Sequence, residues 1–282
     1  RYSVLSYFGL VPAALVGLDV VTLLDRADDM RQHNVPSVPA KESPGVILGA
    51  TLGAMVLAGR DKLTLMASPS LERFCLWTEQ LIAESTGKEG RGIVPVVGEP
   101  LMTPKDYGDD RLFVYIRLHG DGNGETDTAV EALQVAGQPV VRISLNDTLD
   151  LGAEFYRWEF ATAIVGALLG VHPFNQPDVQ STKDLANRVL LGCDFSGKMS
   201  ISKDAVPLAR LLTESRPGSY LAIMAYVQET VAMNEVLATL RRTVTERHRI
   251  PTTLGYGPRF LHSTGQLHKG GPDIGLFLQI TE

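Results

Sequence analysis

Short apolar runs that alternate with helical stretches dominate the chain after residue 59. Residues Lys62 to Ala67 and Arg111 to Leu118 are the clearest of these runs. Similar runs recur, with helical periodicity between them, at residues 93–97, 139–145, 220–227 and 275–280. Strands that alternate with helices pair in parallel, because a parallel connection needs a crossover. The sequence therefore predicts an α/β protein with a mostly parallel sheet and helices on both faces.

The first 58 residues contain helical patterns and no run of strand type. Residues 1–24 are predicted to form one helix, since large apolar side chains recur along them at helical spacing. Prolines between residues 34 and 44 indicate a loop, and the small apolar stretch 45–58 is typical of a buried helix. The chain begins at Arg1 without an initiator methionine or a signal peptide, so we expect it to be a piece of a longer protein.

Composition restricts the class of protein. Hydrophobic residues make up 44% and charged residues 21%, which is ordinary for a globular protein with a core. The formal net charge of −6 disfavours a nucleic-acid partner. Cys75 and Cys193 lack ligand spacing, which predicts two buried free thiols in a reducing, cytoplasmic compartment. The best apolar run, residues 161–171, is too short to span a membrane.

Motifs for cofactors and metals are missing from the sequence. Gly120, Gly122 and Gly124 follow a predicted strand, but they lack the GxGxxG spacing and lie in an acidic loop. None of the six histidines belongs to an HExxH or to another paired ligand spacing. We therefore expect neither a metal nor a cofactor.

Glu84 is the first candidate for chemistry. The apolar residues before it recur at helical spacing and stop at this position, and Gly87, Gly90 and Gly92 follow in a loop. A carboxylate at a rigid helix end beside a flexible loop is either a surface residue without a role or a general base. The pattern alone leaves both interpretations open.

Four other residues are candidates on weaker grounds. Residues 261–272 combine His262 and His268 with serine, threonine, glutamine and lysine between apolar strands, which favours a site. Lys183 falls in a predicted first helical turn, where acids are normally favoured, so it is either a solvated lysine or a functional one. His119 follows a strand and stays ambiguous. These residues predict a polar site of sugar or phosphate size.

Four segments spread along the chain carry a family resemblance. They are residues 1–6 (RYSVLS), 80–88 (QLIAESTGK), 170–183 (GVHPFNQPDVQSTK) and 261–266 (LHSTGQ). In that order they resemble the end of a GGR[YF]S signature, a Q-x-x-x-E-S-x-G-K segment, an F-[DN]-Q-x-x-V-E-x-x-K signature and a bacterial L-H-S-x-G-Q segment. All four belong to the glucose-6-phosphate isomerase family, which the chain therefore resembles.

The resemblance implies an architecture. The family has the sugar-isomerase (flavodoxin-like) three-layer fold. Residues 1–58 would be a helical segment that links from a missing N-terminal sugar-isomerase half, and residues 59–282 the second subdomain with the site. Stretches 226–239 and 255–281 look most like the isomerase half of fused transaldolase/glucose-6-phosphate isomerase proteins, which implies a transaldolase domain upstream. Family enzymes are commonly dimers, so a homo-oligomer is implied as well.

The resemblance also implies roles. Glu84 matches the base that moves a proton between C1 and C2, His262 the ring-opening histidine, and Lys183 the lysine beside the ring oxygen. Arg1 matches the arginine near the enediolate. The implied substrate-binding positions are Gln80, Gln176, Ser85 and Gly87. The implied reaction is the interconversion of glucose 6-phosphate and fructose 6-phosphate through a cis-enediol, without metal or redox cofactor.

The chain departs from the family pattern in three ways. Gln180 replaces the acid of the V-E-x-x-K signature. His262 comes last in the chain, whereas the family's histidine precedes the lysine, so either the second half is rearranged or His119 opens the ring; we favour His262 because its neighbours match. The serine/threonine loop that clamps the phosphate lies in the missing half, so we expect the chain alone to be inactive. A non-catalytic sugar-phosphate-binding module and a mannose-accepting isomerase remain alternatives.

Overall fold

A computed structural model describes residues 1–191 and 208–281 of the 282-residue chain, apart from the side chains at positions 179–182, 186 and 189. The predicted thiol of Cys193, the side chain of Gln180 and the start of a helix predicted at residues 206–212 lie outside what is described. Within the described residues, no helix is long and apolar enough to cross a lipid bilayer.

The N-terminal part of the chain is helical and consists of α1 (Tyr7–Leu15), α2 (Val20–Gln32) and α3 (Pro44–Leu57). The prediction of one helix across residues 1–24 is wrong, because the chain turns between α1 and α2. Gly17 adopts a left-handed conformation there, with φ of +85°. The carboxylate of Asp19 then accepts a hydrogen bond from the backbone N–H of Thr22 and caps the start of α2.

The middle of the chain forms the first sheet and its helices. These elements are β1 (Lys62–Ala67), α4 (Glu72–Thr86), β2 (Val94–Val97), β3 (Arg111–Leu118), α5 (Gly124–Val135), β4 (Val140–Leu145) and α6 (Leu151–Leu169). The strands are all parallel and lie in the order β2-β1-β3-β4, with Lys62 opposite both Val94 and Arg111. Nearly every residue of β1 and β3 is buried, because helices cover both faces of the sheet.

The C-terminal part forms a second sheet. Its elements are α7 (Pro177–Leu190), α8 (Leu208–Thr213), β5 (Tyr220–Tyr226), α9 (Val231–His248), β6 (Thr252–Tyr256), α10 (Gly265–Gly270) and β7 (Gly275–Thr281). These strands are also parallel, in the order β6-β5-β7. Strand β2 of the first sheet lies beside β6 of the second. The predicted α/β class with parallel strands is confirmed, and the architecture is consistent with a flavodoxin-like sugar-isomerase fold.

Glycines allow α3 and α6 to pack closely over the first sheet. A Cβ atom at Gly49 would lie 2.6 Å from the carbonyl oxygen of Ala161, so only a residue without a side chain fits this contact. Trp158 of α6 is completely buried in the same core. The small apolar stretch predicted as a buried helix therefore is one, and its buried residues include Gly45, Gly49 and Gly53.

Helix α4 determines where the site lies. It begins after the carboxyl end of β1 and runs back to the amino end of β2, as a parallel crossover requires. Its last turn, which contains Glu84, therefore lies at the amino edge of the first sheet. A buried cluster of Ala83, Val94, Tyr220 and Leu267 joins this end of α4 to the second sheet and to α10.

Candidate functional site

Glu84 is a buried carboxylate with several donors around it. The residue is 5% exposed. Its Oε2 atom accepts a hydrogen bond from Nε2 of Gln176 at 3.0 Å, and it lies 3.4 Å from Nε2 of Gln80 and 3.4 Å from Nε of Arg1. Burial raises the pKa of the Glu84 carboxyl, and the positive charge of Arg1 is the main influence that opposes this rise. Gln80 is one helical turn before Glu84, which is why the two side chains meet.

Arg1 connects Glu84 to the turn that precedes α7. Its Nη1 atom donates to Oγ of Ser85 at 3.0 Å and to the carbonyl oxygen of Pro173 at 2.8 Å. The hydroxyl of Tyr2 donates to the same Oγ of Ser85 at 3.0 Å. Ser85, predicted to bind substrate, is therefore buried behind the first two residues of the chain. Its described contacts hold Arg1 and Tyr2 in position.

Lys88 holds the same turn from the other side, and the sequence analysis missed this. Its Nζ atom donates to the carbonyl oxygen of His172 and, at 3.0 Å, to Oδ1 of Asn175. Lys88 is 1% exposed. Burial lowers the pKa of its ammonium group to about 8. Two cations, Lys88 and Arg1, thus fix the turn 172–175, and this turn presents Gln176 to Glu84. The available signal was the position of Lys88 as the last residue of the QLIAESTGK segment.

The loop after α4 is held in place by its neighbours rather than free. Glu89 and Gly90 both have positive φ, of 55° and 73°, which is the pattern of a tight type I′ turn between Lys88 and Arg91. The N–H of Gly90 donates to the carbonyl oxygen of Gly270 at 2.9 Å. Two of the glycines predicted to make this loop flexible, Gly90 and Gly92, adopt positive φ, of 73° and 143°, which side chains disfavour.

Gly87 and Gln266 join α4 to α10. A Cβ atom at Gly87 would lie 2.4 Å from Cα of Leu267, so the glycine lets the two backbones touch. Nε2 of Gln266 donates to the carbonyl oxygen of Gly87 at 3.0 Å and to Oδ2 of Asp178 at 2.5 Å. Gln266 is the last residue of the LHSTGQ segment, and it fixes this segment against both α4 and α7. Sequence reasoning assigned it no role.

The remaining predicted residues, His262, Lys183 and His119, are all exposed. His262 is exposed at the end of a short 3₁₀ helix, and its charge is among the influences that lower the pKa of Glu84. Lys183 lies exposed on α7, and the contacts to Glu84 come from other residues. His119 is exposed after β3, at the carboxyl edge of the sheet, whereas Glu84 is at the amino edge.

Comparisons with known proteins identify the relatives of this arrangement. The chain is 32% identical over 222 residues to glucose-6-phosphate isomerase of Rubrobacter xylanophilus, across 65% of the chain and 51% of that relative. It is 31% identical over 241 residues to a probable glucose-6-phosphate isomerase of Natronomonas pharaonis, across 73% of the chain and 56% of the relative. The chain is a partial homologue of the glucose-6-phosphate isomerases. No protein-family model matches it.

The extent of the match to these isomerases is limited. The chain spans about half the length of the curated relatives that it matches. Among solved structures it resembles the hypothetical protein TT0462 of Thermus thermophilus, with a TM-score of 0.56 and 25% identity over 66% of the chain and 54% of that protein. The segments that resemble glucose-6-phosphate isomerase signatures are brought together in the fold, since residues from all four interact at the last turn of α4.

Proposed function

We propose that the chain carries the proton-transfer part of a site that interconverts glucose 6-phosphate and fructose 6-phosphate. One observation supports this most directly: side chains from three separate segments converge on a single oxygen of a buried carboxylate, Oε2 of Glu84. Homologues named glucose-6-phosphate isomerase support the class of enzyme.

Glu84 is the proposed base. In open-chain glucose 6-phosphate, its carboxylate takes the proton from C2, and the C2–H electron pair forms the C1=C2 bond while the C1 carbonyl becomes an oxyanion. A proton passes from the C2 hydroxyl to the C1 oxygen, and the carboxylic acid then returns its proton to C1 as the C2 carbonyl forms. A raised pKa makes a carboxylate a stronger base, and general acid–base catalysis contributes roughly 10²–10⁴-fold to a rate. The guanidinium of Arg1, beside Glu84, is the proposed cation that stabilises the negative oxygen of the enediolate.

The proposed ring-opening residue is His262. Its influence on the pKa of Glu84 supports this choice over His119, which lies at the opposite edge of the sheet. The role of Lys183 beside the ring oxygen rests on the resemblance alone, because the residue is exposed on α7. Gln80 and Gln176 are proposed to bind substrate hydroxyls through the oxygen and the second N–H of each amide, since one N–H of each is directed at Glu84.

Other parts of the proposal concern partners. We propose that an N-terminal isomerase half supplies the phosphate clamp, that a fused transaldolase domain precedes it, and that the cytoplasmic protein forms homo-oligomers. The 282-residue chain alone is then expected to convert no fructose 6-phosphate above background. Turnover by the chain alone, measured in a coupled assay, would show that a clamp from outside is unnecessary.

The test of the base is Glu84→Gln in the full-length protein that contains this chain. The variant keeps the size of the side chain and one of its two acceptor oxygens but is not basic. We expect it to abolish exchange of the C2 proton of the sugar phosphate with deuterium from solvent, measured by proton NMR. Near-normal exchange in the folded variant would exclude Glu84 as the base. Glu131→Gln, an exposed change on α5, is the matched control.

A second candidate function is a non-catalytic sugar-phosphate-binding module. The exposed position of Lys183 favours it, because a sensor needs no lysine beside the ring oxygen. A coupled assay for conversion of fructose 6-phosphate by the intact protein separates the two functions. Binding of the sugar phosphate without conversion would favour the module.

A further inference from the structure

A second concave site lies at the opposite end of α4. It is an open cavity of about 620 Å³ between the carboxyl ends of β1, β2 and β6, beside the starts of α4, α5 and α9. Glu72 and Leu76 line it from the first turns of α4. Twelve residues separate Glu72 from Glu84, which corresponds to about 18 Å along a helix. The cavity is therefore distinct from the site at Glu84.

The position and size of this cavity are those of a small-molecule site. Open α/β sheets bind ligands outside the carboxyl ends of their strands. Ligand pockets typically measure about 300–1,000 Å³ and combine an apolar floor with a few polar groups. Here the floor consists of apolar side chains from both sheets and from α4, namely Leu65, Leu76, Val97 and Leu254.

The carboxylates around the cavity disfavour a phosphate. The start of a helix attracts anions, and the cavity lies beside three of them. Each of these helix starts already has a glutamate of the protein beside it. These are Glu72 in the first turn of α4, Glu125 in the first turn of α5 and Glu229 directly before the N-cap of α9. Near the start of α4, Oδ2 of Asp121 also accepts a hydrogen bond from the N–H of Ser70 at 2.9 Å. These carboxylates occupy the helix starts that would otherwise attract a phosphate, and the three glutamates outnumber the two exposed arginines of the rim, Arg73 and Arg259.

The buried cation below the cavity is also engaged. Arg241 donates from Nε to Oγ1 of Thr252 at 3.0 Å and from Nη1 to the carbonyl oxygen of Gly98 at 2.6 Å. Its Nη2 atom donates to the carbonyl oxygens of Val97 at 3.0 Å and Thr252 at 2.8 Å. Four of the five N–H groups of this guanidinium thus bind the protein itself. Arg241 supports the floor and offers little to a ligand anion.

We propose that this cavity is a second binding site, which takes a neutral polyhydroxylated molecule such as an unphosphorylated sugar and rejects sugar phosphates. Hydroxyl groups both donate and accept, and the rim offers both kinds of partner. Glu125 and Glu229 accept, whereas the exposed guanidinium groups of Arg73 and Arg259 donate. The ring of Tyr256 adds a flat surface that suits the apolar face of a sugar. This inference does not depend on the proposed function.

The test is saturation-transfer NMR on the chain with glucose, fructose and glucose 6-phosphate as probes. We expect both neutral sugars to receive saturation from the protein and to lose it in Leu76→Trp, whose larger side chain fills the cavity. Glu125→Gln removes one charged acceptor and is expected to weaken binding of the neutral sugars by about tenfold. Glu131→Gln, an exposed glutamate on the same helix outside the cavity, is expected to leave it unchanged.

Three results would overturn the proposal. They are saturation transfer to neither neutral sugar, transfer that persists in a folded Leu76→Trp, and glucose 6-phosphate binding that Leu76→Trp abolishes. Circular dichroism verifies folding, and the pair of glutamate variants decides the question if Leu76→Trp does not fold. Glu84→Gln separates the two sites: if it abolishes transfer to glucose and Leu76→Trp does not, the sugar binds near Glu84 and the second site is excluded. If the proton-exchange experiment excludes Glu84 as the base, the binding of neutral sugars in the cavity is unaffected.

Discussion

The side-chain amide of Gln176 donates a hydrogen bond to the carboxylate of Glu84 at 3.0 Å, although 92 residues separate the two in sequence. The bond closes a connection between the last turn of α4 and the start of α7. It depends on the turn 172–175, which Arg1 and Lys88 hold through backbone and side-chain oxygens. The position of Gln176 relative to Glu84 thus depends on the contacts of Arg1 and Lys88 with the turn 172–175.

Gln176→Leu tests this bond directly. Loss of a donor to a buried carboxylate destabilises its charged form, so we expect the pKa of Glu84 to rise further above its ordinary value. Carbon-13 NMR of the labelled carboxyl group during a pH titration measures the change. Gln32→Leu, on the exposed surface of α2, is the control that should leave the titration unchanged. An unaltered pKa in Gln176→Leu would mean that the bond contributes little.

Lys88→Met tests how the turn is held. The variant leaves the carbonyl oxygen of His172 and the amide oxygen of Asn175 without their charged donor, and a hydrogen bond to a charged group contributes about 1.5–3 kcal/mol. We expect the free energy of unfolding in urea to fall by this amount. Lys105→Met, at an exposed position, should stay within about 0.5 kcal/mol of the parent.

The difference in stability between Lys88→Met and the parent protein is expected to depend on pH. The pKa of Lys88 is about 8 in the folded chain, against an ordinary value of 10.5. Between these values the unfolded chain binds more protons at this group, so its contribution to stability rises with pH. The stability deficit of Lys88→Met relative to the parent should therefore widen from pH 8 to pH 10. A constant deficit would contradict the lowered pKa.

The stability of Glu79→Gln relative to the parent should change with pH in the opposite direction, and at lower pH. Burial raises the pKa of Glu79 to about 7 from 4.5, while Arg241, Arg259 and a hydrogen bond from Ser263 act against the rise. Between these values the folded chain binds more protons at this carboxyl, so the parent loses stability as pH increases. His268, which lines the same small cavity as Glu79, has a pKa lowered to about 4 by burial and opposes this trend.

Because His268 is present in both proteins, the comparison isolates Glu79. We expect Glu79→Gln to gain stability relative to the parent from pH 4.5 to pH 7, measured by urea unfolding at a series of pH values. Glu72→Gln, an exposed change on the same helix, should show no such gain. A flat difference for Glu79→Gln would mean that this carboxyl titrates normally.

Gly87→Ala tests the contact between α4 and α10. The added methyl group would lie 2.4 Å from Cα of Leu267 and 2.8 Å from the carbonyl oxygen of Ala83, so the helices must separate. Overpacking of this kind typically costs about 1–3 kcal/mol, which thermal or urea unfolding detects. Gly124→Ala is the matched control, since nothing lies within 4 Å of its added Cβ atom. Equal stability of the two variants would refute the close approach.

The alternation of strands and helices could be predicted from the sequence because each element carries its own pattern of apolar residues. Buried parallel strands are continuous apolar runs, as in β1 and β3, and the helices between them show their own period. The break between α1 and α2 was not readable, because Gly17 interrupts an apolar pattern that continues on both sides. The division of the strands between two sheets was also unpredicted, since pairing partners are not marked in a strand.

Some residues of the candidate site were predictable from the sequence, and others were not. Helical spacing made Glu84 a candidate, the polar run 261–272 made His262 another, and the motif resemblance added Arg1, Gln80 and Gln176. The contributions of Lys88 and Gln266 were missed because their partners include carbonyl oxygens of His172 and Gly87, which lie 84 and 179 residues away. Every residue carries such an oxygen, so no pattern of side chains singles these out.

The sequence by itself determined most of the strands and helices and several of the residues at the site, because periodicity and turn chemistry act over short distances. Only the tertiary structure decided that the site at Glu84 lies at the amino edge of the first sheet, opposite the carboxyl edge where open α/β sheets usually bind ligands. The physical reason is the crossover: a helix that connects parallel strands must run back, so its last turn is carried to the opposite edge.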